Sequence, residues 1–280
     1  MTAVAPPAAP TPAVDAARHV GFSHLLTAEW TKIRSVRSTL WTLIIFAIVS
    51  LGLTGLITWL TIRALSSGRA GGRSSGIAAD PVNFILGTGL GLGQLAICVL
   101  GVLVITSEYS SGTIRASLLA MPRRYPMLIA KGVVFSALVF VVGELVAFGS
   151  FFLGAAIVHS HFPVALSQPN VTRAVVGSGL YLTVLGLFAL AIGSLIRHTA
   201  GAVTTVIGLV LVIFNLTGLL PYSWGAHIHA YMPTVAGLLI TQDKEQAGQL
   251  LSPWQGFGVF CAWTALLLII GGYILQRRDA

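Results

Sequence analysis

The sequence predicts an all-α protein that crosses a membrane six times. Three observations carry that expectation. Of its 280 residues, 55% are hydrophobic and only 9% are charged, against about 25% charged in a soluble domain. The apolar residues gather into six runs, each long enough to span a hydrocarbon core, which takes about 20 helical residues: 39–62, 84–105, 127–158, 175–196, 200–220 and 254–275. The cations are also divided unevenly between the loops on alternate sides.

Residues 1–19 are rich in Ala and Pro, with no basic start and no apolar run after it. They are expected to form a disordered tail rather than a signal peptide. The remainder, 20–278, reads as one membrane domain. It opens on VGFSHLLTAEWTKIRSVR, Val20 to Arg37. Phe22, Leu25, Leu26, Trp30 and Ile33 share one helical face. His24, Thr27, Thr31, Lys32 and Arg34 lie largely on the other. The pattern fits a helix in the headgroup plane, with Trp30 at the boundary and Lys32 and Arg34 towards lipid phosphate.

After the first span, GRAGGRSSG (68–76) has the composition of a flexible linker. The second span contains GTGLGLG, Gly87 to Gly93. It lacks the third glycine of a dinucleotide fingerprint and lies inside a span. Gly87/Gly91 and Gly89/Gly93 are small residues four apart, expected to let another helix approach closely. No lysine follows a glycine anywhere in the chain, so no phosphate-cradling GxxxxGK[ST] loop exists. The third run is long enough that it must tilt, break or project past the bilayer. Pro221 to Pro253 is aromatic and broken by prolines, carrying Tyr222, Trp224, Tyr231 and Pro233.

Six spans put both termini on one side. That side holds Arg18, Lys32, Arg34, Arg37, Arg115, Arg123, Arg124, Lys131, Arg197, Arg277 and Arg278; the other holds Arg63, Arg69, Arg73, Arg173 and Lys244. The excess places both termini in the cytoplasm and the protein in the plasma membrane. The 16 Lys+Arg against 8 Asp+Glu fit anionic lipid, not nucleic acid, as the partner. Cys98 and Cys261 both fall in apolar runs and read as small core residues.

The longest polar interruption on the cytoplasmic side is TSEYSSGTIRASLLAMPRRYP, Thr106 to Pro126. Within it, Thr113 to Met121 can form two turns of amphipathic helix, with Ile114, Leu118 and Met121 on one face. Ser110 and Ser111 are candidate caps, and Pro122 ends it. Glu108 stands at the end of the second span, where it could pair with Arg115 or with a basic residue of a partner.

Together, AEWTKIRSVRSTLW, SEYSSGTIRASLLAMPRRYPMLIAKG and the six-span layout resemble the permease subunits of type-2 ABC exporters. The resemblance covers about residues 20–278. It implies that 20–37, with Trp30, Lys32 and Arg34, is a connecting helix. It implies also that Glu108, Gly112, Thr113, Ile114 and Arg115 mark a coupling segment that docks on a separate ATPase chain. That chain would bind the ATP; this one would carry no cofactor. A second permease copy, identical or paralogous, would supply the other half of the path, and the 221–253 segment would hold short re-entrant helices.

Glu144 is the only ionisable side chain deep within a run. At 1.5 Å per residue it sits about 25 Å from the cytoplasmic boundary, and Asn215 about 22 Å, with Thr183 at comparable depth. A carboxyl there is costly and suggests function. It either bonds between helices, to Asn215 or Thr183, or lines a substrate path. His159/His161 and His227/His229 form HxH pairs, but that spacing suits a strand and neither pair has a nearby Cys or carboxylate, so no metal site is expected. No HExxH, GxSxG or CxxC occurs, and no catalytic constellation is visible. The expected function is export driven by a partner ATPase. A non-transporting scaffold or immunity factor would share every feature but a working coupling helix, and an intramembrane enzyme would need ionisable pairs within the spans.

Overall fold

The computed structural model describes residues 21–68, 72–110, 124–246 and 248–277. The described chain is all-α. Helix α1 (Phe22–Ser35) leads directly into α2 (Arg37–Ser66). There follow α3 (Gly72–Ala79), α4 (Pro81–Ser110), α5 (Arg124–Val158) and α6 (Val171–Ile196). The next span, α7 (Thr199–Leu219), is composite. It runs as α-helix to Ile207, as π-helix over Gly208–Ile213, and ends in a 3₁₀ turn at Thr217–Leu219. Two short helices, α8 (Tyr222–Ala230) and α9 (Pro233–Leu238), precede α10 (Pro253–Arg277).

Six of these helices, α2, α4, α5, α6, α7 and α10, are long and apolar enough to cross a membrane. Each expected span is present, extended by a turn at one or both ends in most cases. The protein is a multi-pass membrane protein. The long third run neither breaks nor kinks into two: α5 is one helix of 35 residues, about 52 Å at the α-helical rise. It exceeds the roughly 30 Å hydrocarbon core, so part of it lies beyond the core or the helix tilts.

The bundle is organised around α6. In its most apolar window 78% of residues are buried, against 22% for α2, α7 and α10. It packs on α4, α5 and α10 at once, and its sequence explains how. Ala and Gly recur along it, so neighbours approach its backbone. At Gly186 a Cβ would lie 2.8 Å from the Phe135 ring of α5, so the ring takes the place a side chain would fill. The Phe260 ring of α10 packs at a tilt against both Tyr181 and Phe188 of α6, at 5.7 and 5.9 Å.

The glycines of α4 divide as their positions dictate. Gly89 and Gly93 face α2, where a Cβ on Gly89 would meet Thr54 Oγ1 at 2.5 Å and one on Gly93 would run into Ser50. Gly87 and Gly91 face away, with nothing within 4 Å. The expected close approach therefore belongs to one pair of the two.

The loop expected to be a flexible linker is corrected in part: α3 occupies its second half. Ile77 is fully buried with Ile85 and Val158, and that anchor orders the helix despite its glycine-rich composition. Residues 1–20 and 111–123 lie outside the described residues, so the Ala/Pro tail and the expected helix at Thr113–Met121 do too.

Candidate functional site

Helix α1 turns an unexpected face inward. Glu29 and Ile33 are buried, with Leu25 and Leu26 half-buried, while Phe22, Trp30 and Arg34 are exposed. It packs chiefly on α5. A carboxylate at i−4 from a buried isoleucine, on a helix lying against the spans, needs a cation to compensate its lost hydration.

It finds two. Lys131 Nζ of α5 lies 2.7 Å from Glu29 Oε2 and 2.8 Å from Glu108 Oε1 of α4. Lys32 Nζ lies 2.9 Å from Glu29 Oε1 and 3.1 Å from Glu108 Oε1. The four groups form a closed square of alternating sign with no net formal charge. Lys131 is the hub: its side chain is 2% exposed, that of Glu29 4%, that of Glu108 10% and that of Lys32 42%. Burial would raise the Glu29 carboxyl, but Lys131 and then Lys32 outweigh it and hold the group below its ordinary value. Burial opposes the charge on Lys32, yet its bonds to Glu29 and the charge of Glu108 raise it above the usual lysine value.

One sequence expectation is corrected here. Lys32 points at two carboxylates and not at lipid phosphate, because the fold back of α1 onto α5 brings Glu29 and Glu108 within its reach. Glu108, expected to meet Arg115 or a partner's basic residue, pairs with Lys32 and Lys131 of this chain; Arg115 lies outside the described residues along with Gly112, Thr113 and Ile114. Lys131 enters the sequence only as one cation among those that set topology, and Glu29 not at all. The signal was present: Glu29 sits in the stripe of Leu25, Leu26 and Ile33.

The cluster's placement defines what it can do. Glu108 is two residues before the end of α4, and Lys131 lies in the second turn of α5. The segment 111–123 leaves one helix and returns into the other. Both of its anchoring helices are thus clamped to α1 beside its two ends. Nearby, the Arg197 guanidinium carbon lies 5.2 Å over the ring of Tyr109, fastening the end of α6 to the same region. Arg197 has φ 60° and closes α6 with its N–H on Gly193 O. A cavity of about 390 Å³ opens beside the square, walled by Ile33, Val36, Thr39, Leu100, Val104 and Ser107. Removing one member of such a buried set strands the others' charges, so prising α1 from α4 and α5 is costly.

The intramembrane polar residues do not come together as expected. Both Glu144 carboxyl oxygens are buried and meet no hydrogen-bond partner among the described residues. Its carboxyl lies against Gly179 of α6, where a Cβ would be 2.5 Å from Glu144 Cδ. Thr183 donates to Gly179 O at 2.8 Å, not to Glu144. Asn215 turns its amide back on its own helix, donating to Val210 O and Leu211 O at 2.9 and 3.2 Å. The reason is the π-helix, which leaves carbonyls that the side chain can reach. The buried interhelical bond joins other residues: Tyr181 Oη donates to Gln94 Oε1 at 2.8 Å between α6 and α4.

The histidine pairs are similarly dispersed. His161 Nδ1 meets Ser160 Oγ at 2.8 Å, His227 Nδ1 meets Ser223 O at 2.8 Å, and His229 Nδ1 meets Thr217 Oγ1 at 2.8 Å.

No curated protein matches the chain. A family model described as ABC-2 family transporter protein matches residues 24–280, a stretch that takes in most of α1, all six spans and the charge square. The chain belongs to the ABC-2 family of transporter membrane proteins.

Proposed function

We propose that this transport permease is the membrane-spanning part of an exporter powered by a separate ATPase chain, and that the charge square is its transmission joint. The supporting observation is the position of Glu29, Lys32, Glu108 and Lys131. They lock α1 to the last turns of α4 and the first turns of α5, the two helices from which the 111–123 segment springs. An ATPase docked on Gly112, Thr113, Ile114 and Arg115 would push on that segment. With the square intact, the load passes to α1, α4 and α5 together rather than bending one loop. ATP stays on the partner chain, both termini face the cytoplasm of the plasma membrane, and a second copy or a paralogue completes the path.

Co-purification with the ATPase chain, followed by ATP turnover in nanodiscs, tests this. Gly112→Pro and Ile114→Asp should leave the protein in the membrane and lose the ATPase, since proline fixes φ and removes a backbone N–H within the segment and aspartate charges the apolar face its sequence pattern gives it. Lys131→Met should keep the ATPase bound but uncouple its turnover from transport. ATPase binding that survives both coupling-segment changes would place docking elsewhere. Binding without any transport-linked turnover in the wild type would favour a scaffold.

A further inference from the structure

At the end of the bundle away from the charge square, a cavity of about 500 Å³ lies between the end of α7, helices α8 and α9, and the loop before α10. Its size is that of a small-molecule pocket. Apolar walls come from Val235, Leu238, Leu239, Leu250 and Leu251. Its polar lining includes Asn215, His229, Gln242, Gln246 and Gln249, and among the described residues no carboxylate, lysine or arginine lines it.

The hydrogen bonds around it decide what that lining offers. Asn215 spends its amide N–H groups on Val210 O and Leu211 O, so its Oδ1 is left as an acceptor. Thr217 donates its single hydroxyl proton to Phe214 O at 2.6 Å. Its oxygen must therefore accept from His229 Nδ1–H at 2.8 Å, and neutral His229 then carries its free lone pair on Nε2. Gln242 Oε1 is buried with no partner among the described residues, an expensive state for an amide oxygen. Gln249 is held rigid, donating to Leu251 O at 2.6 Å and accepting from Gln246 N at 3.1 Å. Two open acceptors on Asn215 and His229, the neutral amides of Gln242 and Gln246, no charged side chain among the described lining residues and an apolar wall make one description.

We infer that this cavity binds an uncharged amphiphile whose head carries several hydroxyl or amide donors, its head on Asn215, His229 and Gln242 and its apolar part against Val235 and Leu238. As the far-side station of a transport path, the site rests on the reading above; as a binding site it stands without it. The lack of charge disfavours ammonium and sulfate heads alike, since neither would find a counter-charge to replace its hydration.

The test uses the full chain in nanodiscs without any ATPase. The probe is octyl glucoside carrying a diazirine in its alkyl chain, compared with the same chain bearing a trimethylammonium or a sulfate head. The glucoside should label peptides within residues 215–251 saturably and in preference to the two charged probes. Gln242→Met keeps the volume and removes the amide; His229→Phe removes Nε2 and, with it, the Nδ1–H bond to Thr217. Each should weaken the glucoside half-saturation about three- to tenfold, the loss of one hydrogen bond, with the melting temperature unchanged in Gln242→Met. Equal labelling by all three probes, or labelling indifferent to both substitutions, would overturn the site. Labelling intact in a protein that shows no transport-linked turnover supports the site and removes only its transport role.

Discussion

Lys131 Nζ lies 2.7 Å from Glu29 Oε2, although 102 residues separate the two in the chain. The contact joins the first helix to the third span and is almost wholly buried. It is therefore a long-range bond whose loss strands charge rather than exposing it to water.

Replacing Lys131 with Met leaves Glu29 and Glu108 facing each other, with only the half-exposed Lys32 between them. The expected cost is about 3–5 kcal/mol, read as a lowered melting temperature in detergent micelles. Lys32→Met removes a cation from the exposed corner and should cost less than about 1 kcal/mol. Equal destabilisation by both would mean that burial does not rank the two corners.

The six spans were legible because hydrocarbon imposes one rule over about 20 residues, and that rule is written in composition. The charge square was not legible, because its members come from three helices and pair only when α1 folds back on α5. Trp30 illustrates the limit within one helix. Its periodicity groups it with Ile33, but burial selects Glu29 for the inward face, since Lys131 waits there and offsets the cost of burying a carboxylate. The π-helix of α7 likewise has no local signature in GLVLVI, and with it went the expected partnership of Asn215 with Glu144.

The square also predicts how the α1–α5 contact responds to pH. Glu29 is held below its ordinary 4.5, so its contribution is complete above that value and is lost as pH falls through the depressed one. Lys32 is held above 10.5, so its contribution is complete below that value and is lost only at still higher pH. Stability from this joint should be flat across neutrality. Asp243 behaves oppositely: burial and its neighbour Asp80 push it from 3.8 up to about 6. The folded state then binds the extra proton, and stability falls as pH rises from about 4 through about 6. Melting temperatures across that window should decline in the wild type, and Asp243→Asn should flatten the decline.

Glu144 and Gly179 should behave as one unit. Gly179→Ala places a methyl against the Glu144 carboxyl and is expected to cost about 1–3 kcal/mol, as overpacking does. Glu144→Ala alone breaks no hydrogen bond with the described residues, and in the Gly179→Ala background it should recover most of the loss. A double-mutant cycle on melting temperature reads the coupling; strict additivity would show that the two helices do not press on each other there.

The central claim is that the charge square carries the ATPase stroke into the spans. It is tested most directly by pulsed electron–electron resonance between spin labels on Ser67→Cys in the assembled complex, with and without a trapped ATP analogue. Ser67 is exposed at the end of α2 remote from the square. Where two copies of the chain assemble as proposed, the nucleotide should shift the distance between them in the wild type. In Lys131→Met, with the ATPase still bound in equal amount, that shift should disappear. A shift of full amplitude in Lys131→Met would contradict the account.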